Sequence, residues 1–257
     1  MKVQIIGLGT VGNAQAFLGS RLGHQMFGFD TRPGLQSPHA TPLERPEREV
    51  DLTFICVPES AVEGVLQGLV RDQVKGLYVI KSTVPPGTTE RLSRSLGVHI
   101  CHNPEFLRQE HALEDVMRPG RVVIGQCCAG HGEILERLYS PLGVPIHITD
   151  PATSELVKIT TNALRAMAIT FWNELDELSV GLGVRTDAVA RMVDQAKALG
   201  EWEGGNWGVS FFGRPYGRAC LPKDMDQLIG VFRRQGLNPV LLEAVRRAEV
   251  RDSVATD

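Results

Sequence analysis

The sequence lacks long apolar runs, basic tracts and internal repeats. No apolar stretch approaches the roughly 18 residues that cross a bilayer, so we expect no membrane-spanning segment. Twenty-seven lysines and arginines stand against 30 aspartates and glutamates, which gives a net charge of −3. Because no positive charge is clustered, nothing predicts binding to nucleic acid or to an anionic membrane.

Cysteine and lysine are also scarce. The five cysteines form no even, regularly spaced set, so we expect no disulfide framework and place the protein in the reducing cytoplasm. The apolar N-terminus runs directly into glycines, which indicates a first β-strand and not a signal peptide. Six lysines stand beside 21 arginines, and each of these few lysines is therefore a candidate for a specific role.

Residues 1–149 are typical of an α/β domain. Short apolar runs at 3–6, 25–30, 51–57 and 76–81 alternate with helical stretches, and three more runs follow before residue 150. Such alternation indicates βαβ units and predicts a Rossmann-like, doubly wound parallel sheet. Residues 31–49 contain four prolines and are predicted to form a loop.

Residues 150–257 change to helical periodicity and predict an all-α domain. Asp150 suits an N-cap and Pro151 the first position of a helix of about 30 residues, which ends near Gly181 and Gly183. Further helices are predicted after residues 184, 222 and 238. The long helix is apolar around much of its surface in the segment "ALRAMAITFW", so we expect a homodimer that buries it.

A glycine motif at the start of the chain predicts a dinucleotide site. Gly7, Gly9 and Gly12 match G-x-G-x-x-G, with Thr10 and Val11 between them. In a strand–turn–helix context the first glycine allows the tight turn, the second lets the backbone approach a pyrophosphate, and the third permits close packing of helix on strand. A Rossmann-like sheet that binds a different nucleotide is the alternative.

The second strand ends at a residue that favours NAD as the cofactor. Asp30 stands where a carboxylate accepts hydrogen bonds from the ribose hydroxyls and repels a 2′-phosphate. Arg32 keeps NADP open, because a nearby arginine can accommodate that phosphate.

Several polar residues are candidates for chemistry. Lys158 and Asn162 lie four residues apart on the long helix and so share a face, where they could polarise a carbonyl or hold an oxyanion. Glu105 follows a strand and is a candidate general base, while Ser82 and Thr83 follow another strand and could face the cofactor. Taken singly, each has a simpler interpretation: a solvated lysine, a surface asparagine, a loop carboxylate and turn residues.

The sequence leaves two roles for Cys220, packing in the core and catalysis. Burial as a small hydrophobe is the usual state of cysteine, but a neighbouring lysine such as Lys223 favours the thiolate. Cys127 and Cys128 end an apolar strand and are predicted to pack, and Cys56 is predicted to lie by the cofactor without being reactive. We expect no metal site, since three histidines share no ligand spacing: His99, His102 and His111.

Taken in order, these motifs resemble the UDP-glucose/GDP-mannose dehydrogenase family. The resemblance rests on "GLGTVG" (7–12), "KSTVPPGTT" (81–89), "NPEFLRQEHALEDVMRPGRVVIG" (103–125), "SELVKITTNALRAMAITFWNEL" (154–175) and "CLPKD" (220–224). It implies NAD-dependent oxidation of the primary alcohol of a sugar or nucleotide-sugar to a carboxylate, in two hydride transfers.

The resemblance also implies a role for each matching residue. Cys220 would attack the intermediate aldehyde to give a thiohemiacetal, which is oxidised to a thioester and hydrolysed. Lys158 and Asn162 would stabilise the tetrahedral oxyanions, and Glu105, Thr83 and Asp224 would handle water and protons. Beyond the glycine motif, the residues implied at the cofactor are Asp30, Arg32, Cys56, Val57, Pro58, Ser82, Thr83 and Lys223. Those implied at the substrate are Phe106, Leu107, Arg108, Lys158, Asn162, Tyr216, Gly217 and Arg218.

The departures from the family pattern lie on the substrate side. The approach to the cysteine reads "YGRAC", with Arg218 in place of a usual glycine and Tyr216 in place of phenylalanine. "FLRQE" has Gln109 and Glu110 where glutamate and glycine are usual. Family members typically continue into a second Rossmann-like domain that binds the nucleotide, and this chain is expected to lack it. These departures predict a small alcohol other than an ordinary UDP-sugar.

Two alternative functions stay open. The first is a two-electron dehydrogenase of the 3-hydroxyacid or 6-phosphogluconate type, which shares a long helix with Lys-x-x-x-Asn but needs no cysteine; the complete "CLPKD" argues against it. The second is a non-catalytic paralogue that binds NAD.

Overall fold

The computed structural model describes residues 1–195, 216 and 220–254. It divides into two compact units, Met1–Lys158 and Ile159–Asp257. Each unit has its own buried apolar core.

An eight-stranded sheet forms the centre of the first unit. Its strands run in the order β3-β2-β1-β4-β5-β6-β7-β8. The order reverses at β1, between β2 and β4, which is the crevice where open α/β sheets bind ligands. The strands are β1 (Lys2–Ile6), β2 (Gln25–Phe29), β3 (Thr41–Pro42), β4 (Glu49–Ile55), β5 (Lys75–Ile80), β6 (Ile100–His102), β7 (Val122–Gly125) and β8 (Ile146–Thr149).

The predicted doubly wound α/β fold is confirmed, with one correction to the predicted parallel sheet. Every neighbouring pair is parallel except β6 and β7, which are antiparallel and share a single registered pair, His102 with Gly125. The connection between them is a 3₁₀ turn and a short helix, Ala112–Met117. Apolar runs alone do not reveal the direction in which a strand re-enters a sheet. The predicted loop at 31–49 contains the two-residue edge strand β3.

Helices cover both faces of the sheet because the strand side chains alternate. Along β4, Leu52 and Phe54 join one core while Ile55 joins the other, as the period of two requires. Val50 also joins the second core, because the register of β4 shifts between Glu49 and Leu52. The first core receives apolar residues from α1, α4 and α5, and the second receives them from α2 and α3. These helices are α1 (Thr10–Arg21), α2 (Glu59–Arg71), α3 (Thr88–Leu96), α4 (Ala112–Met117) and α5 (His131–Tyr139), with 3₁₀ turns at Gln109–His111 and Ser140–Leu142.

The described part of the second unit is helical. Its helices are α6 (Pro151–Leu182), which begins in the first unit, α7 (Thr186–Gln195), α8 (Cys220–Arg234) and α9 (Val240–Val254). Ile159, Ala163 and Ala166 of α6 pack with Met225 and Leu228 of α8 in a buried cluster. No described helix combines the length and the apolar character needed to cross a bilayer.

The division between the units lies inside α6 because the first two turns of that helix are bonded to the first unit. Glu155 accepts hydrogen bonds from the backbone N–H groups of Gly87 and Thr89 at 2.5 and 2.8 Å, which are the free donors at the start of α3. Ser154 Oγ lies 2.8 Å from His102 Nδ1. The predicted boundary, between residues 149 and 150, is the start of the same helix.

Candidate active site

The carboxyl ends of four neighbouring strands lie in step. The N–H groups of Gly7, Cys56, Lys81 and Asn103 donate to the last carbonyl of the adjacent strand, at 2.8–2.9 Å. Each of these residues is the first to follow its strand, in β1, β4, β5 and β6. The sheet therefore presents all four segments at one edge of the first unit, and these segments carry the glycine turn, Cys56, Ser82 and Glu105.

The glycine motif has the geometry of a phosphate-binding turn. Gly7 has a φ of +93°, and a Cβ atom there would stand 2.6 Å from the Cys56 carbonyl oxygen. A Cβ atom on Gly12 would stand 1.8 Å from the Gly7 carbonyl oxygen, so only glycine fits either position. Gly9 precedes α1, and no side chain among the described residues caps that helix. Its first N–H groups, at Thr10 and Val11, are thus available to a pyrophosphate.

Asp30 is fixed at the end of β2. Its carboxylate accepts from the Leu8 N–H at 2.8 Å and from Arg32 Nε and Nη2, both at 3.0 Å. The hydrogen bond from the Arg32 side chain, more than any other contact, lowers the pKa of Asp30 to about 2. The Arg32 side chain, which could have accommodated the 2′-phosphate of NADP, therefore bonds to Asp30, the carboxylate that favours the ribose diol of NAD. These residues fit NAD, with the turn holding the pyrophosphate and Asp30 the adenosine ribose.

The segments that follow β4 and β5 are joined to each other. Ser82 Oγ donates to the Val57 carbonyl at 2.6 Å, and Pro58 is the N-cap residue of α2. Thr83 is partly buried beside them. Burial raises the pKa of Cys56 to about 12, so this thiol is protonated and unreactive, as its sequence context predicts.

Glu105 and Lys158 form a buried ion pair in the first unit. Lys158 Nζ lies 2.9 Å from Glu105 Oε1, and the two side chains are 5% and 17% exposed. Burial by itself raises the pKa of Glu105, but the charge of Lys158 and the hydrogen bonds from Leu107 N–H and Lys158 outweigh it, so the pKa lies below its ordinary value. The simpler interpretations, a solvated lysine and a loop carboxylate, therefore do not hold.

The residues that follow Glu105 have separate partners. Lys158 Nζ lies 5.4 Å from the centre of the Phe106 ring, and Arg121 lies 4.6 Å from it on a cation–π contact. Arg108 is half exposed and bonds to Asp115 at 2.6 Å.

A buried polar network below this edge is absent from the sequence predictions. Lys81 Nζ lies 2.9 Å from Asn103 Oδ1 and 3.3 Å from Tyr139 Oη. Tyr139 Oη in turn lies 3.1 Å from Gln15 Oε1. All four residues are at most 5% exposed, and burial lowers the pKa of Lys81 to about 8. The scarcity of lysine was the one sequence signal that pointed to Lys81.

In the second unit, Asn162 and Asp224 are bonded to each other. Asn162 Nδ2 donates to Asp224 Oδ2 at 2.5 Å, and Lys223 Nζ donates to Asp224 Oδ1 at 2.6 Å. Asn162 is 7% exposed and Asp224 is 1% exposed, so the interpretation of Asn162 as a surface residue does not hold.

Cys220 is exposed and is the first residue of α8. Pro222 fits the first turn of that helix, where no backbone donor is needed. Tyr216 is buried in the core of the second unit. Two predicted substrate residues, Gly217 and Arg218, lie outside the described residues.

Two models of one known protein family match this chain, one in the first unit and one mostly in the second. Residues 39–143 match the UDP-glucose/GDP-mannose dehydrogenase family, NAD binding domain, and residues 152–250 match the central domain of that family. The predicted cofactor, NAD, is thereby confirmed as the cofactor of the matching domain.

Similar proteins include two curated enzymes and one solved structure. The UDP-glucose 6-dehydrogenase of Rickettsia conorii is 32% identical over 222 residues, which cover 81% of this chain and 48% of that protein. The GDP-mannose 6-dehydrogenase of Pseudomonas syringae is 29% identical over 283 residues, covering 89% of this chain and 63% of that protein. A UDP-glucose dehydrogenase of Pyrobaculum islandicum superposes with a TM-score of 0.86 at 28% identity, covering 97% of this chain and 68% of that one. The chain thus spans about half to three-fifths of the length of these curated relatives.

The lowered pKa of Lys81 predicts a stability change in alkaline solution. The pKa is about 8 in the folded protein against an ordinary 10.5, so between these values the unfolded chain binds more protons and the wild type gains stability as pH rises. Lys81→Met has no amine at this position, so its stability does not show this gain. Between pH 8 and 10.5, we expect the free energy of unfolding of the wild type to rise by about 3 kcal/mol more than that of Lys81→Met. Urea unfolding measures both.

Lys75→Met is the matched control for this measurement. Its lysine pairs with Glu49 at 2.8 Å, with both side chains at least 66% exposed, so no alkaline gain relative to the wild type is expected. Parallel curves for the wild type and Lys81→Met would contradict the burial of a charged Lys81.

Proposed function

Because this chain belongs to the UDP-glucose/GDP-mannose dehydrogenase family, we propose that it oxidises the primary alcohol of a sugar, a nucleotide-sugar or a nucleoside-like molecule to a carboxylate. The observation that carries the proposal is the buried Glu105–Lys158 pair, which lies in the unit that also carries the glycine turn and Asp30. When bound, NAD⁺ supplies the oxidising power by accepting one hydride per molecule, so an alcohol-to-carboxylate conversion requires two molecules.

Glu105 and Lys158 suit the proton and charge changes of this reaction. Glu105 is held ionised, so it can accept a proton from the alcohol or from the hydrolytic water. Lys158 is held in a buried site where its charge stabilises the oxyanion that forms as a tetrahedral centre develops at the substrate carbon. Asn162, bonded to Asp224, is proposed to donate to the same developing charge.

Cys220 is proposed as the nucleophile for the second oxidation. Its sulfur would add to the aldehyde carbon as the carbonyl oxygen takes up negative charge, giving a thiohemiacetal. Loss of a hydride from that carbon leaves a thioester, and water then replaces the sulfur to release the carboxylate. The exposure of Cys220 at the start of α8 supports the role, because a nucleophile must be accessible. A free thiol is also consistent with the reducing cytoplasm that we propose as its location.

Lys158→Met is expected to lower kcat/KM by about 100- to 1,000-fold, the usual effect of removing a group that stabilises an oxyanion. The variant also leaves Glu105 buried without its counter-charge, so the pKa of Glu105 rises and the acid limb of the pH–rate profile moves to higher pH. The measurement is NADH formation, across the pH range, with the alcohol that a screen of sugars and nucleotide-sugars identifies.

Lys75→Met again provides the control and should keep the wild-type rate and profile, because its ion pair is exposed. An unshifted acid limb in Lys158→Met would exclude Glu105 as the base.

Cys220→Ala tests the number of electrons removed. The wild type should form two NADH for each alcohol consumed, whereas Cys220→Ala should stop after one and release an aldehyde that hydroxylamine traps. An unchanged NAD titration would show that the variant is folded. A wild-type ratio of one would favour a two-electron dehydrogenase, and NAD binding without turnover of any alcohol would favour a non-catalytic paralogue.

We also propose a homodimer formed through α6. Leu164, Phe171 and Leu178 recur every seven residues, so they lie along one side of the helix. They are 37%, 59% and 57% exposed, although most apolar side chains of this size are buried in a monomer. A second copy of the same surface, related by a two-fold axis, would cover the stripe.

Phe171→Glu should weaken the dimer about 100-fold or more, because two-fold symmetry brings two unpaired carboxylates into an apolar interface. Sedimentation velocity over a concentration series measures the change. Val180→Glu is the matched control, since Val180 is 73% exposed and points to the other side of the helix. A wild type that sediments as a monomer at all concentrations would refute the dimer.

A further inference from the structure

Two cysteines and two histidines converge at the edge of the sheet opposite the candidate active site. His99 precedes β6, Cys127 and Cys128 follow β7, and His131 is the first residue of α5. One ligand atom from each lies within 4.8 Å of all the others. We call these four residues the thiol–imidazole cluster.

The spacing within the thiol–imidazole cluster is that of a tetrahedral metal site. A zinc ion with two thiolates and two imidazoles requires about 3.8 Å between sulfurs and about 3.5 Å between sulfur and nitrogen, from its usual bond lengths. The Cys127 and Cys128 sulfurs are 3.9 Å apart. The four sulfur–nitrogen distances, each to Nδ1, are 3.0 and 3.3 Å for His131 and 3.6 and 3.8 Å for His99.

We propose that the thiol–imidazole cluster binds one structural Zn²⁺ ion. Two thiolates and two neutral imidazoles balance the charge of the ion, and four protein ligands leave no open position for a substrate. Tetrahedral S₂N₂ coordination selects zinc among the common divalent metals. Cys101, whose sulfur lies 3.8 Å from that of Cys127, is placed to donate a hydrogen bond to the coordinated thiolate.

The position of the cluster gives the metal a structural role. β6 and β7 share one registered pair, whereas β1 and β2 share five and β7 and β8 share four. An ion held by His99 on one side and by Cys127, Cys128 and His131 on the other would cross-link this weakly paired junction.

The site has an entry path from solvent. His99 and Cys127 line a cavity of about 560 Å³, together with Glu90, Arg94, Gln126 and Asp150. Cys128 is exposed, so the metal can be loaded and removed without unfolding.

This inference revises two expectations from the sequence. The sequence predicts that Cys127 and Cys128 pack, and it predicts no metal site because His99 shares no ligand spacing with His102 and His111. In the structure His99 instead lies beside Cys127, Cys128 and His131. His102 is fully buried and bonds to Ser154, and burial lowers its pKa to about 3. A disulfide does not describe the cluster either, because sulfur separations of 3.8 and 3.9 Å are far from the roughly 2.05 Å of a bond.

The test is metal content. Protein freed of any affinity tag is stripped with chelator under reducing conditions, reloaded with ZnCl₂, desalted and analysed for zinc. We expect one zinc per chain, and CoCl₂ in its place should give the charge-transfer and d–d bands of a tetrahedral cobalt thiolate. Zinc should also raise the melting temperature of the stripped protein.

Matched variants locate the metal. His99→Ala and His131→Ala should each lower zinc affinity at least tenfold and remove the rise in melting temperature, while NAD titration reports that they remain folded. His147→Ala and Cys220→Ser, which alter an exposed histidine and an exposed cysteine outside the cluster, should keep the zinc. Less than a tenth of an equivalent in fully reduced protein, zinc that survives both cluster variants, or a disulfide among Cys101, Cys127 and Cys128 would overturn the proposal.

Discussion

The parallel register of the central strands is the constraint from which the candidate site follows. The last carbonyl of each of four neighbouring strands accepts a hydrogen bond from the residue that follows the next strand in the sheet. These carbonyls belong to Phe29, Ile6, Ile55 and Ile80. Because the strands end in step, the segments that follow them start at one edge. The glycine turn, Lys81 and Asn103 therefore meet there although they are far apart in sequence. A one-residue slip would turn each strand's buried side chains to the opposite face, so the two apolar cores fix the register and, with it, the site.

The position of the first turns of the long helix α6 is also set by contacts with the first unit. Its first turns are bonded to the first unit through Ser154 and Glu155, and Glu155 satisfies backbone donors at the start of α3 that would otherwise be buried without partners. One turn later the helix presents Lys158 to Glu105. The pair is costly to desolvate, and the bonded helix start limits the freedom of the lysine to leave it. The contacts that hold α6 to the first unit and the proposed catalytic lysine thus lie on the same two turns of α6.

The features that could be predicted from sequence are those set by residues close together in the chain. Gly7, Gly9 and Gly12 are required by a turn that spans six residues, so their role is readable from spacing. Lys158 and Asn162 share a face by helical period, but their burial depends on Glu105 and Asp224, which no local pattern identifies. The network of Lys81 could not be predicted, because it includes a contact between Gln15 and Tyr139, 124 residues apart. The direction of β7 likewise depends on tertiary packing. The family resemblance implies roles for Glu105 and Asp224, but it does not predict that they bond to Lys158 and Asn162.

The antiparallel strand β7 has a consequence at each edge of the sheet. In a fully parallel sheet the residues after β7 would reach the carboxyl edge, beside the segments that carry the candidate site. The reversal instead sends Cys127 and Cys128 to the opposite edge, next to the residue that precedes β6, and it leaves β6 and β7 with one registered pair. The strand that weakens the pairing is thus also the strand that delivers two thiols to His99 and His131. A metal ion bound there would restore the lost cross-strand connection without placing any ligand near the candidate active site.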